Sequence, residues 1–205
     1  MRALVLGLIG ISALCALGYE LAFVGVAPLP LAGSAVKTMA VALLALAGAL
    51  GGAPRLIVLG LALGALGDFW LSRPGEAAFL AGMGAFAAGH LAYAAGFGLR
   101  RPPLWVMLGL AALAASTEIW LAPHTGALLW PVRAYVGVIC GMAGCAAAHR
   151  SRLLWAGAAS FVASDLMLAL ALFRAGPELA LGLSYALWPA YWLGQALILA
   201  AFVRR

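Results

Sequence analysis

The stretch RLIVLGLALGALGDFWL, residues 55–71, has an arginine at its start and a single acidic residue, Asp68, near its end. Everything between these two residues is apolar or glycine. An α-helix needs about 20 such residues to cross a bilayer core of roughly 30 Å, and somewhat fewer suffice. We therefore predict a transmembrane helix that carries an ionisable side chain within the membrane.

The rest of the chain has the same character. Of its 205 residues 66% are hydrophobic and 9% are charged, and the mean hydropathy is +1.10. No water-soluble fold of this length needs so much apolar surface. The formal charge of +6 comes from basic residues spread among short loops, which argues against nucleic-acid binding. We predict one transmembrane domain over residues 1–205 with the lipid bilayer as its partner, and no feature defines an oligomeric state.

Seven groups of helix-breaking residues divide the apolar sequence, for example Pro28 with Pro30 and Arg100-Arg101-Pro102-Pro103. Seven connections predict an all-α protein with eight transmembrane helices. The predicted spans are Leu4 to Ala22, Ala32 to Leu50, Arg55 to Leu71, Ala77 to Leu99, Leu104 to Leu121, Ala127 to Ala148, Leu153 to Phe173 and Leu179 to Val203. Glycines spaced four apart, Gly60 with Gly64 and Gly137 with Gly141, predict close helix packing.

The distribution of arginine predicts the orientation, because cytoplasmic loops carry an excess of basic residues. With the N-terminus inside, the outer loops keep only Arg73 and Arg174, each followed closely by a glutamate. Both termini are then cytoplasmic, and we expect the protein in the cytoplasmic (inner) membrane. The cytoplasmic set is Arg2, Arg55, Arg100, Arg101, Arg150, Arg152, Arg204 and Arg205.

The ionisable residues predict an internal repeat. Three pairs recur at separations of 96 to 98 residues, and His90 and Tyr191 are 101 apart. The three pairs are Glu20 with Glu118, Lys37 with Arg133, and Asp68 with Asp165. Four helices return the chain to its starting side, so the halves, about 1–101 and 102–205, are predicted to be two parallel four-helix repeats related by a pseudo-twofold axis.

Ionisable groups inside a membrane are costly and mark either function or buried pairing. Lys37, Asp68, His90, Arg133 and Asp165 fall within the predicted helices. In the simplest interpretation Lys37 pairs with Asp68 and Arg133 with Asp165, and these pairs only hold the helices together. However, each half has two acids to one base, counting Glu20 and Glu118 near the outer ends. A protonated carboxylic acid beside an ionised carboxylate is the usual equipment of acid–base catalysis.

Further polar side chains share helix faces with these groups. His90 and Tyr93 are three residues apart, Tyr191 and Gln195 are four apart, and Pro189 predicts a kink beside them. We interpret His90 as a hydrogen-bonded histidine, because no second histidine at ligand spacing indicates a metal; we expect no metal and no cofactor. Tyr135, Trp188 and Trp192 are interpreted as packing or interface aromatics, with Tyr135 kept among the binding candidates.

At these residues the sequence resembles the YhhN-like lysoplasmalogenase family of eight-helix membrane proteins, and the resemblance covers nearly the whole chain. It is carried by Lys37, by Gly67-Asp68-Phe69-Trp70-Leu71, by Phe86-x-x-x-His90-x-x-Tyr93, by Ser164-Asp165-Leu166-Met167-Leu168-Ala169 and by Tyr191-x-x-x-Gln195-Ala196-Leu197-Ile198. The resemblance implies hydrolysis of the vinyl ether bond of lysoplasmalogens, with release of a fatty aldehyde and glycerophosphoethanolamine or glycerophosphocholine. The substrate partner is then a lysophospholipid.

That reaction requires an acid, a nearby anion and a positioned water, as glycoside hydrolysis does. The candidate catalytic residues are Asp68, Asp165 and His90, with one of the two aspartates protonated and the choice between them open. The candidates for binding the substrate or tuning protonation are Lys37, Arg133, Tyr93, Tyr135, Tyr191, Gln195, Glu20 and Glu118.

Two other classes of function stay open. Parallel repeats with a polar site at the midplane are also transporter architecture, so a small-solute or lipid transporter is the alternative. Transporters often unwind helices at the site, whereas the helices that carry Asp68 and Asp165 contain no proline. A structural assembly partner is the third class, and five ionisable groups in lipid argue against it.

Overall fold

The computed structural model describes residues 1–203, and all regular secondary structure in that range is helical. The eight predicted helices are confirmed, and their ends differ from the predicted ends by no more than two positions. Arg204 and Arg205, assigned above to the cytoplasmic side, lie outside the described residues. The helices are α1 (Arg2–Phe23), α2 (Leu31–Leu50), α3 (Arg55–Leu71), α4 (Glu76–Phe97), α5 (Leu104–Trp120), α6 (Leu129–Ala147), α7 (Arg152–Phe173) and α8 (Pro177–Phe202).

Prolines mark where several helices begin. Pro30, Pro54 and Pro103 stand immediately before α2, α3 and α5, and Pro177 is the first residue of α8. The start of a helix tolerates proline because the N–H groups of the first turn have no partner within the helix. Pro189, by contrast, lies inside α8, which continues through it.

The outward-facing side chains are apolar. Leu6, Leu14, Leu21 and Ile119 are 68%, 69%, 77% and 81% exposed, and such a surface is stable only in contact with lipid. Seven of the helices in residues 1–203 are long and apolar enough to span a membrane. The eighth, α3, has 17 residues, at the lower end of the length that spans a bilayer core. The protein is a helical membrane protein.

The helices pack unevenly. Neighbours in sequence from α1 to α4 contact one another, as do α6, α7 and α8, while α4 with α6 and α2 with α8 join the two halves of the chain. α5 packs mainly on α6, and Thr117 is its one buried residue. The packing around α5 is therefore looser than that among α1 to α4.

Glycines on α3 allow side chains of other helices to approach its backbone. A Cβ atom at Gly60 would overlap the ring of Tyr93, and one at Gly64 would lie 2.6 Å from Nε2 of Gln195. The predicted close packing at these two glycines is confirmed. The same prediction for Gly137 and Gly141 is wrong, because no atom lies within 4 Å of where their Cβ atoms would be. These two glycines are on the face of α6 that no other helix covers.

We expect Gly60→Ala to lower the free energy of unfolding by about 1–3 kcal/mol, the usual cost of an added methyl group in a filled core. The midpoint of thermal unfolding in detergent measures this loss. Gly10→Ala is the matched control, since nothing lies within 4 Å of that position either. Equal unfolding midpoints for the two variants would contradict the packing described for α3.

Candidate active site

A cavity of about 240 Å³ lies between the two halves of the chain. Its walls come from α2 to α8, and mainly from their portions near the α3–α4 and α7–α8 connections. Most of the lining is apolar, including Phe79, Met83, Leu113 and Leu172. Leu172 both lines the cavity and is 51% exposed. The charged or hydroxyl-bearing groups on the wall are Lys37, Asp68, Thr117, Tyr135, Ser164, Asp165 and Tyr191.

Asp68 is held on both oxygens. Its Oδ1 lies 3.5 Å from Nζ of Lys37, and its Oδ2 accepts a 2.7 Å hydrogen bond from the hydroxyl of Tyr191. The side chain is only 2% exposed. Lys37 thus pairs with Asp68, as the sequence predicted.

A chain of hydrogen bonds continues from Asp68 into the protein. Nε2 of Gln195 donates to the Tyr191 hydroxyl at 3.3 Å, and the Tyr93 hydroxyl donates to Oε1 of Gln195. All three side chains are buried. Tyr191 and Gln195 fit against α3 because Gly64, one turn before Asp68, has no side chain to exclude them, and Tyr93 packs in the same way on Gly60. Tyr93 and Gln195 therefore hold Tyr191 in position but do not themselves line the cavity.

Asp165 has different surroundings. Its Oδ2 accepts a 2.6 Å hydrogen bond from the Tyr135 hydroxyl and lies 3.7 Å from Nε2 of His90. Its Oδ1 has only the Ser164 hydroxyl at 3.4 Å, and that hydroxyl also donates to the Phe161 carbonyl at 2.7 Å. The side chain is 17% exposed. No lysine or arginine in residues 1–203 forms an ion pair with it. One oxygen of Asp165 is thus open toward the cavity.

His90 is buried behind Tyr135. Its Nε2 lies 3.1 Å from the Tyr135 hydroxyl, and its ring packs against Phe161 with the ring centres 4.6 Å apart. Since the Tyr135 hydroxyl already donates to Asp165, its oxygen accepts from His90, and the proton belongs on Nε2. Nδ1 is buried without a hydrogen-bond partner. His90 is the hydrogen-bonded histidine that the sequence predicted.

Arg133 is not at the cavity, and its predicted pairing with Asp165 is wrong. Its guanidinium binds both carboxylate oxygens of Glu118, with Nε at 3.0 and 3.1 Å and the terminal nitrogen at 2.5 Å. Arg133 and Glu118 are 35% and 45% exposed and lie at the same end of α6 and α5. Glu118 lies near the end of α5 and Arg133 near the start of α6, so the short α5–α6 connection brings the two side chains together. Glu20 also does not line the cavity, and its Oε2 is buried without a hydrogen bond.

Tyr135 was interpreted above as a packing aromatic, but its hydroxyl is the strongest contact of Asp165. The predicted repeat could not indicate this role, because Tyr135 corresponds to Met39 in the first half, and methionine has no hydroxyl group. Trp188 and Trp192 do pack, and each donates its ring N–H to α1, at 3.0 Å to the Ala16 carbonyl and to the Ser12 hydroxyl.

In residues 1–203 no three histidine, cysteine, aspartate or glutamate side chains cluster as metal ligands do.

Three comparisons with known proteins were informative to different degrees. The model of the YhhN family matches residues 33–202, a range that contains both aspartates and every residue hydrogen-bonded to them. Neither a search of the curated proteins nor a search of the solved structures found a match. The match to the family model covers most of the sequence, and the chain therefore belongs to the YhhN family.

Proposed function

We propose that this protein is a membrane lipid hydrolase that cleaves the vinyl ether bond of lysoplasmalogens. The products are a fatty aldehyde and glycerophosphoethanolamine or glycerophosphocholine. The proposal is supported by one observation above all: Asp68 and Asp165 line a single, mostly apolar cavity in contrasting surroundings. An apolar cavity suits a hydrocarbon chain, and two carboxyl groups in different environments suit acid–base chemistry.

From their surroundings we infer different roles for the two aspartates. Asp165, without a cation and with Oδ1 open to the cavity, is the acid. It gives its proton to the alkene carbon that does not bear the ether oxygen, and an oxocarbenium ion forms at the other carbon. Asp68, paired with Lys37 and oriented by Tyr191, stabilises that cation.

Water completes the reaction. Its oxygen bonds to the oxocarbenium carbon, and the proton it loses returns to Asp165, which regenerates the acid. The resulting hemiacetal then breaks its bond to the glycerol oxygen, which takes up the proton released by the hemiacetal hydroxyl. The balance is lysoplasmalogen plus water to aldehyde plus glycerophosphodiester, and no cofactor is required. Tyr135, itself held by His90, binds the second oxygen of Asp165 so that Oδ1 faces the substrate.

The experiment that tests this function uses the protein purified in detergent and two lipids. Lysoplasmalogen has the vinyl ether, and its 1-O-alkyl analogue has a saturated ether that cannot be protonated on carbon. We expect a coupled aldehyde reductase to report aldehyde from the first lipid only. Absence of aldehyde from a folded preparation would overturn the vinyl ether reaction, and uptake of the unchanged lipid by reconstituted vesicles would then indicate a transporter. Against transport, α3 and α7 run unbroken through Asp68 and Asp165.

We further propose that the eight helices form two parallel repeats within a single domain, with both termini on the cytoplasmic side of the inner membrane. Two contacts support the repeat: Asp68 meets Tyr191, and their counterparts Asp165 and His90 lie 3.7 Å apart. The pairing of α2 with α8 likewise corresponds to that of α6 with α4. The excess of arginine at one end supports the orientation, which a reporter fused to either terminus would test.

A further inference from the structure

The proposed substrate carries a phosphodiester, and the two cations expected from the sequence to bind it are already engaged. Lys37 is paired with Asp68, and Arg133 is held by both oxygens of Glu118. A phosphate beside the cavity therefore needs a different partner, and arginine is well suited to bind phosphate through paired N–H groups.

Arg174 and His124 meet at the rim of the cavity. The guanidinium NH1 contacts Nε2 of His124 and lies 3.4 Å from its Nδ1. This contact joins the α5–α6 connection to the α7–α8 connection. Neither side chain lines the cavity itself, but Phe173, directly before Arg174, and Leu121, three positions before His124, do, and we call the position of the pair the rim of the cavity. The pair thus spans the end of the cavity that faces the membrane surface.

The contact leaves the guanidinium largely free. A histidine ring offers at most one acceptor, whereas arginine has five N–H donors. Both side chains are exposed, and no carboxylate in residues 1–203 forms an ion pair with Arg174. Arg73, the arginine of the α3–α4 connection, differs: it binds the Leu29 carbonyl at 3.0 Å and the Ser34 hydroxyl. Arg73 is committed to neutral oxygens of the fold, and Arg174 is not.

The spacing matches the length of a lysophospholipid headgroup. Arg174 follows Asp165 by nine positions and comes directly after the last residue of α7, a rise of about 13 Å along the helix axis. Because side chains at a helix tilt toward its N-terminus, the long side chain of Arg174 can extend back toward Asp165 and shorten this interval by several ångströms. In the lipid, roughly five single bonds of about 1.5 Å separate the vinyl ether oxygen from phosphorus. A lipid with its ether at Asp165 can therefore reach Arg174 with its phosphate.

We propose that Arg174, together with His124, binds the phosphodiester of the lysophospholipid at the rim of the cavity. This inference rests on the proposed function for the identity of the substrate. The phosphate replaces His124 as the main partner of the guanidinium, and His124 adds a second donor from the opposite side of the rim. Lys37 stays with Asp68 throughout.

The test measures binding of the saturated 1-O-alkyl lysophospholipid, which no variant can hydrolyse by the proposed route. We expect Arg174→Gln to weaken this binding about tenfold, the effect of one charge-assisted contact to phosphate at an exposed site. Arg152→Gln, which removes an exposed arginine from the other end of α7, is the matched control and should bind as the wild type does. The 1-O-alkylglycerol without phosphate should bind all three proteins equally.

Three results would overturn the inference. In the first, Arg174→Gln and the wild type bind the alkyl lysophospholipid equally well. In the second, Arg174→Gln loses as much affinity for the alkylglycerol without phosphate as for the alkyl lysophospholipid. In the third, Arg174→Gln loses as much affinity for a diacyl phospholipid with the same headgroup. The last result would make Arg174 a general contact with the membrane surface. Failure of the proposed function is distinct: the wild type would bind the alkyl lipid in an Arg174-dependent manner yet release no aldehyde from lysoplasmalogen.

Discussion

Asp165→Asn is expected to reduce the rate of aldehyde release from lysoplasmalogen by about 10³-fold, within the range that a positioned general acid contributes. An amide has nearly the shape of the acid and can still accept the hydrogen bond from Tyr135, but it has no proton acidic enough for an alkene carbon. Binding of the saturated alkyl analogue should stay within about twofold of wild type, since Oδ1 of Asp165 has only a long contact to Ser164 to lose.

The matched control for this variant is Glu178→Gln, which makes the same chemical change in the exposed first turn of α8. It should retain full activity. A folded Asp165→Asn protein that releases aldehyde at the wild-type rate would show that the proton comes from another group. A larger loss in Asp68→Asn than in Asp165→Asn would reverse the two roles.

The second large effect concerns the pair of Lys37 and Asp68. Lys37→Met leaves a carboxylate that is 2% exposed without its cation, and removal of one partner of a buried ion pair typically costs about 3–5 kcal/mol. We expect a correspondingly lower midpoint of thermal unfolding in detergent, together with loss of aldehyde release. This variant alone does not separate a structural role of the pair from a catalytic one.

The double variant Lys37→Met with Asp68→Asn separates the two roles. It removes both charges, so most of the stability lost in Lys37→Met should return, because a neutral amide can still accept from Tyr191. Aldehyde release should nevertheless stay absent, since no anion faces the oxocarbenium ion. If the double variant regained both stability and activity, the pair would serve only to hold α2 and α3 together.

The helices could be predicted from the sequence because breakers act locally. Proline and glycine end an apolar run wherever they stand, so all eight helices were found within two residues at each end. The pairing of Lys37 with Asp68 could also be predicted, since only one acid and one base lie deep in the first half. Close approach at Gly60 and Gly64 followed from their spacing, which lets backbones come together.

Partner choices in the second half could not be predicted, because they depend on how each helix is rotated. Arg133 turns toward Glu118 on α5, and Tyr135, about half a turn later, faces Asp165. Sequence spacing alone does not indicate which of these two side chains faces the interior. The cavity could not be predicted either, since it results from the incomplete packing of α5 rather than from any sequence motif. The prediction of close helix packing at Gly137 and Gly141 failed for the same reason, because no helix covers that face of α6.

The cavity occupies only the half of the bundle near the α3–α4 and α7–α8 connections. A hydrocarbon tail that lies in it belongs to the leaflet on that side, so the proposed reaction consumes lipid from one leaflet alone. Lysophospholipids formed in the opposite leaflet must cross the bilayer before they can be cleaved. Because single-chain lipids have broad heads and narrow tails, their removal from one side reduces the area of that leaflet. If the proposed function holds, the sidedness of the cavity couples lipid breakdown to the curvature stress of the membrane.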